Sequence, residues 1–175
     1  MLIALIFILA LLSISTVLSL VYPIGGTWER MSDLNQSIWD RERVVLKEFG
    51  PFVFGTQTVS GGVQKFFGFA FGPFLWLHRR DYGIQALINS GFPEPIAKLV
   101  QGRVLLRMKL SLSSDRLFLN GHATPFKVEF YEDASGIKGV HTLDPTPRKY
   151  RRAELTSVSE PSLAPIGKQV ELGSI

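Results

Sequence analysis

The chain has 175 residues, no cysteine and a formal net charge of +4. Thiolate metal sites, a disulfide scaffold and a thiol-linked lipid anchor are therefore excluded, and so mild a charge does not mark a nucleic-acid binder by composition. The length suits one apolar leader followed by a single domain of about 150 residues.

Leu2 to Tyr22 carries no charged side chain, and before the closing tyrosine its polar side chains are Ser13, Ser15, Thr16 and Ser19. As a helix it would reach ~31 Å, which matches a hydrocarbon core of ~30 Å. The sequence therefore predicts a single transmembrane helix over residues 1–23, an uncleaved signal-anchor. Val17-Leu18-Ser19 also allows a signal cleaved after export. Arg30, Arg41 and Arg43 lie on the C-terminal side of the run, so the positive-inside rule places the remaining chain in the cytoplasm, at the inner membrane. Tyr22, Trp28 and Arg30 stand where a membrane-interface belt is expected.

Residues 24–43 read as a juxtamembrane linker. Ser32 to Arg43 has Leu34 and Ile38 at helical spacing beside Trp39. That predicts a surface helix, lying either on lipid headgroups or on the domain. Residues 44–155 read as a β-rich domain. Val44 to Val59 is strand-like, and Ser60-Gly61-Gly62 marks a turn. Val63 to Arg80 reads as one long strand, with Pro73 at an edge or bulge. Alternation puts Phe67, Phe69, Phe71, Leu75 and Leu77 on one face and Phe66, Gly68, Ala70, Phe74, Trp76 and His78 on the other. The aromatic ladder is expected to be core; exposed, it would be a docking surface. The tetrapeptide Phe-Gly-Pro-Phe occurs at 49–52 and again at 71–74, which suggests two similar bent strands or a chance recurrence.

Asp81 suits the cap of a short helix from Tyr82 to Asn89, and Pro95 opens a second that ends at Gly102. Arg103 to Ser113 alternates as a strand. Arg116 to Leu119, a turn at Asn120-Gly121 and His122 to Tyr131 complete a three-stranded meander. Ile137 to Leu143 can add a strand. The cluster Arg148-Lys149-Tyr150-Arg151-Arg152 follows, and residues 156–175 read as a disordered tail.

Motifs for chemistry are scarce. His78, His122 and His141 stand alone, without metal-ligand spacing, and no nucleophile elbow, phosphate loop or dinucleotide fingerprint occurs. No metal, no cofactor and no enzymatic activity are expected. Two basic patches, Arg79-Arg80 and Arg148, Lys149, Arg151 and Arg152, suit anionic lipid or phosphate, or a solvated face. Arg103-Val-Leu-Leu-Arg107, with Asp133-Ala-Ser135 further on, resembles in part the motifs of PilZ-type cyclic-dinucleotide-binding barrels. The glycine falls one place late, at Gly139, and the arginine pair sits in a strand. The resemblance implies a small-ligand site at Arg103, Arg107 and Asp133.

The expected architecture is thus an N-terminal transmembrane helix plus one mainly-β (α+β) domain, an antiparallel small barrel or sandwich with two short inserted helices. The expected role is a membrane-anchored, non-enzymatic interaction or scaffold subunit. Its expected partners are membrane lipid and a protein, with no nucleic acid.

Overall fold

The computed structural model describes residues 2–31 and 42–153. The surface helix expected from Ser32 and the tail expected from residue 156 fall outside those residues, Glu42 and Arg43 excepted.

Helix α1 (Leu2–Val21) leads into β1 (Gly26–Arg30), followed by β2 (Arg43–Phe49), β3 (Phe52–Val59), β4 (Gly62–Phe71) and β5 (Phe74–Tyr82). Two short helices, α2 (Ile84–Asn89) and α3 (Glu94–Val100), precede β6 (Val104–Leu112), β7 (Phe118–Phe130), β8 (Ile137–Thr142) and β9 (Thr146–Arg152). The strands pair antiparallel in the order β6-β5-β4-β3-β2-β1-β9-β7, and β6 pairs again with β7. The sheet therefore closes into an eight-stranded barrel and not a sandwich. Strand β8 pairs only with the far half of β7, as a hairpin arm outside the barrel.

An eight-stranded barrel has an interior that side chains can just fill. Here the filling is Trp28, Phe66, Leu75, Leu77, Leu119 and their neighbours, and Trp28 is only 1% exposed. A second apolar cluster, Leu87, Ile96, Ala97, Val100, Leu105 and Val128, packs α2 and α3 against β6 and the β8 arm.

The transmembrane expectation is corrected. No helix among the described residues is long and apolar enough to cross a membrane. The physical reason lies in α1's last turns, which the barrel engages. Ser15 is buried and its hydroxyl donates to the Ala70 carbonyl at 3.2 Å. Thr16 lies against Gly50, and Tyr22 packs on the barrel core. The turns before Ser15 reach only ~20 Å, short of a ~30 Å core. The single-pass localisation, its signal-anchor and its cytoplasmic orientation lose their basis with the span. The interface belt dissolves as well. Trp28 fills the barrel, its indole N–H donating to the Ile24 carbonyl at 2.8 Å, and Arg30 pairs with Glu42 at 3.1 Å. The stretch expected as a flexible linker supplies Ile24, which is fully buried, and strand β1.

Other boundaries move for local reasons. The run from Val63 to Arg80 is a hairpin, β4 and β5, because Gly72-Pro73 turns the chain. Both Phe-Gly-Pro-Phe copies are such turns. Gly50 and Gly72 each have φ +56°, a left-handed conformation that glycine adopts without a Cβ penalty. Asp81 lies within β5, which ends at Tyr82, instead of capping α2, whose N-cap is Gly83. Asn120-Gly121 lies inside β7, paired with Ser111 and Leu110. The turn before it is built at Ser113–Leu117, where the Asp115 carboxylate accepts from the Leu117 N–H at 3.0 Å and the Ser113 hydroxyl accepts from the Phe118 N–H at 2.9 Å. Those side-chain bonds fix a turn that leaves the whole of β7's first half free to pair on both edges.

Candidate functional site

The hairpin turns at Gly50 and Gly72 reset the alternation, and with it the faces. Phe66, Ala70, Leu75 and Leu77 point into the barrel. Phe67, Phe69 and Phe71 point outward, across from His78, Trp76 and Phe74. The aromatic ladder expected as core lies mostly outside: of its rings only Phe66 fills the barrel, and the others line its outer wall.

That wall is ordered in rows by the registers of β2 to β6. Nearest the end where α1 enters are Phe71 and Phe74. The next row holds Phe49, Phe52, Phe69, Trp76 and Lys109, and the one after it Lys47, Phe54, Phe67, His78 and Arg107. The last row holds Val45, Thr56, Lys65 and Arg80. Successive rows are about 7 Å apart along the strands. The rings stack across strands, with Phe69 and Trp76 centroids 4.9 Å apart and Phe67 and His78 5.3 Å apart. Phe49 is 80% exposed, and Phe52, Phe54, Phe69, Phe71 and Phe74 are exposed with it.

The last two rows frame an open groove of about 610 Å³ between Lys47, Lys65 and Arg80, with Phe54, Phe67 and Tyr82 as its apolar walls. Arg80 lies over the Phe67 ring at 4.6 Å and Lys65 over the Tyr82 ring at 4.7 Å. Strands β3, β4, β5 and β6 contain one acid between them, Asp81, and it faces inward, 8% exposed. Among the described residues no carboxylate pairs with Lys47, Lys65, Arg80, Arg107 or Lys109. The field on this wall is felt by His78, whose basicity is lowered by partial burial and by the guanidiniums of Arg107 and Arg80. Rings with uncompensated cations beside them can receive an anionic group joined to an apolar body.

Of the residues singled out from sequence, the structure assembles few. Arg79 and Arg80 part company: Arg80 joins the groove, while Arg79 turns inward to Asp81 at 2.9 Å. The cluster at 148–152 divides likewise. Lys149 points outward over the Phe118 ring at 4.9 Å, and Arg151 is exposed on the same face. Arg148 is half-buried. Tyr150 is buried, donating to Glu42 at 3.0 Å, and burial together with that carboxylate pushes the phenol's pKa well up. Arg152 holds the entry of the barrel. Its guanidinium donates to the carbonyls of Pro23 at 2.6 Å and Gly25 at 2.8 Å, and it lies over Trp28 at 4.4 Å. Glu48 completes this lock by accepting from the Ile24 and Gly25 N–H groups at 2.8 and 2.7 Å. Its other oxygen is buried without a partner, and burial raises its pKa despite those bonds and nearby Arg152.

The residues of the PilZ-like resemblance do not converge in a pocket. Arg103 donates to the Leu99 carbonyl at 2.8 Å. Arg107 covers the Phe126 ring at 4.8 Å. Asp133 sits in the turn before β8, where Ser135 holds its carboxyl below the usual range. Among the described residues no group of three or more His, Asp or Glu is placed to share a metal ion. The groove cations Lys47 and Lys65 were missed by sequence reasoning. The signal available was the scarcity of acids from Val44 to Leu112, where Glu48, Asp81 and Glu94 stand alone.

Comparison with known proteins adds no relative: no protein family matches the chain, and neither a curated protein nor a solved structure does.

Proposed function

We propose that this protein is a non-enzymatic docking module that engages an anionic partner through the outer wall of β2 to β6. One observation carries the reading: an outward-facing wall of stacked aromatic rings and unpaired cations on which no carboxylate points outward from β3 to β6. An acid-free cationic surface is costly in self-repulsion and does nothing for the fold, whereas it speeds and strengthens encounter with a negative surface. The rings supply desolvated contact area, and exposed patches of this kind mark interaction sites.

The test is retention of the full chain on immobilised heparin, in neutral detergent, under a salt gradient. Lys47→Gln/Lys65→Gln is expected to elute at distinctly lower salt than the parent. Lys127→Gln/Lys138→Gln, which removes the same charge from the β8 arm and its partner strand, is expected to elute close to the parent. Equal loss from both pairs would mean that net charge alone is read, and the proposal would fall.

A further inference from the structure

The wall is graded as well as charged. Its rings are concentrated at the end where α1 enters, and its cations begin one row back. Both Phe-Gly-Pro-Phe turns project from this end, as does the β6–β7 turn with exposed Leu117. The exposed side chains of Val17 and Leu20 on α1 lie at the same end, Leu20 being 78% exposed. From Phe71, the rows of Lys109, of Lys47 and Arg107, and of Lys65 and Arg80 follow at about 7, 13 and 20 Å along the strands. Barrel strands tilt by about 40°, so the depths along the axis shrink to about 5, 10 and 15 Å.

We infer that the docking partner is a lipid surface bearing anionic headgroups, onto which the two Phe-Gly-Pro-Phe turns settle while the cationic rows face the phosphates. This inference rests on the docking function proposed above and names its partner. The contact is peripheral and needs no spanning segment. Its depth profile is that of an interfacial element: apolar side chains enter the headgroup–acyl boundary by about 5–10 Å, and Lys and Arg remain at headgroup level. The groove between Lys47, Lys65 and Arg80 then lies where a phosphate would meet rings for its glycerol and upper acyl carbons. A single strand of nucleic acid is a weaker fit. It would need rings and cations interleaved along one path, whereas the most exposed rings here are gathered at the turn tips.

The absence of cysteine makes a direct test clean. Full-length Phe49→Cys carries an NBD fluorophore at the most exposed ring position, and full-length Lys127→Cys carries one on the β7–β8 arm, at the end of β7 away from α1. Each is mixed with vesicles of phosphatidylcholine, with vesicles in which part of it is replaced by phosphatidylserine, and with an oligothymidylate strand. With serine-containing vesicles the label at 49 is expected to brighten and shift to the blue, while that at 127 stays water-like. Adding Lys47→Gln/Lys65→Gln to the Phe49→Cys chain should weaken this response about 25-fold, from ~1 kcal/mol per cation near an anionic surface.

Flotation with vesicles while the label at 49 stays water-like would mean that α1 alone seeks lipid, and would overturn the inference. So would an equal response to both vesicle types, unchanged by the double variant. If only the oligothymidylate gives a saturable signal at 49, the partner is nucleic acid and the lipid assignment falls. Vesicle failure with heparin retention still lowered by the double variant sinks this inference alone. Failure of both sinks the docking function too.

Discussion

The two sides of the barrel handle charge in opposite ways. Around β1, the start of β2 and the β8 arm, bases sit beside acids: Arg30 with Glu42, Arg43 with Glu29, and Lys127 and His141 with Glu129. Across β3 to β6, bases sit beside rings, and the single acid is turned inward. Exposed ion pairs contribute little to stability, but they erase the local field. The acid-free wall keeps its field. The contrast is the ground for the proposed docking role: among the described residues these cations lie beside rings and face no carboxylate.

The largest expected effect separates rings that fill the barrel from rings on its wall. Phe66→Ala removes a side chain that is 2% exposed and should cost about 3–5 kcal/mol, read as a lowered urea midpoint. Phe54→Ala, one strand away on the outer wall, should stay within about 0.5 kcal/mol of the parent. Equal losses would mean that the outer rings are structural after all. Next in size, Gly72→Ala forces a Cβ into φ +56° at the tip of the β4–β5 turn and should cost about 1–2 kcal/mol in the same measurement.

Smaller effects follow from pH. Burial raises the pKa of Glu48, so the folded barrel disfavours its charge. Stability from this group is complete below the ordinary glutamate value and declines as pH rises through that value toward the raised one. Glu48→Gln should therefore gain on the parent as pH rises from 4 toward neutrality, measured as the difference in melting temperature at each pH, about 4 and about 7. A difference independent of pH would show that the Ile24 and Gly25 bonds fully offset the burial.

His78 has the opposite sign. Its lowered pKa means that the folded state favours the neutral ring, and stability falls as pH drops from the ordinary histidine value toward the lowered one. The smallest effect reads the outer wall itself. Binding of an anion beside Arg107 and Arg80 should move the His78 titration upward, followed by NMR of its ring protons. An unmoved His78 with bound anion would place the anion elsewhere.

Legibility from sequence followed the range of the physics involved. The alternation of Val104, Leu106, Met108, Leu110 and Leu112 announced a strand, and Pro95 announced a helix start; these depend on near neighbours in the chain. The Phe-rich run failed at one glycine. Read as a bulge at Pro73, it gave one strand with one parity. As a turn at Gly72 it gives two, and the second half changes face. Single-residue register decides which side of a sheet a ring occupies, so the outer aromatic wall was hidden by that one local choice. The apolar run at the N-terminus was read through its composition, which contains nothing about Ser15 bonding to Ala70.

By itself the sequence determined a β-rich domain, its two helical inserts, a helical leader and the shortage of acids between Val44 and Leu112. Each of these is set by composition or by contacts within a few residues. Barrel closure through β6 and β7, the docking of α1 on β4, the sorting of rings between core and wall, and the gathering of Lys47, Lys65 and Arg80 around one groove were decided only by the tertiary structure. They depend on pairings between strands distant in the chain, whose register no short stretch of sequence contains.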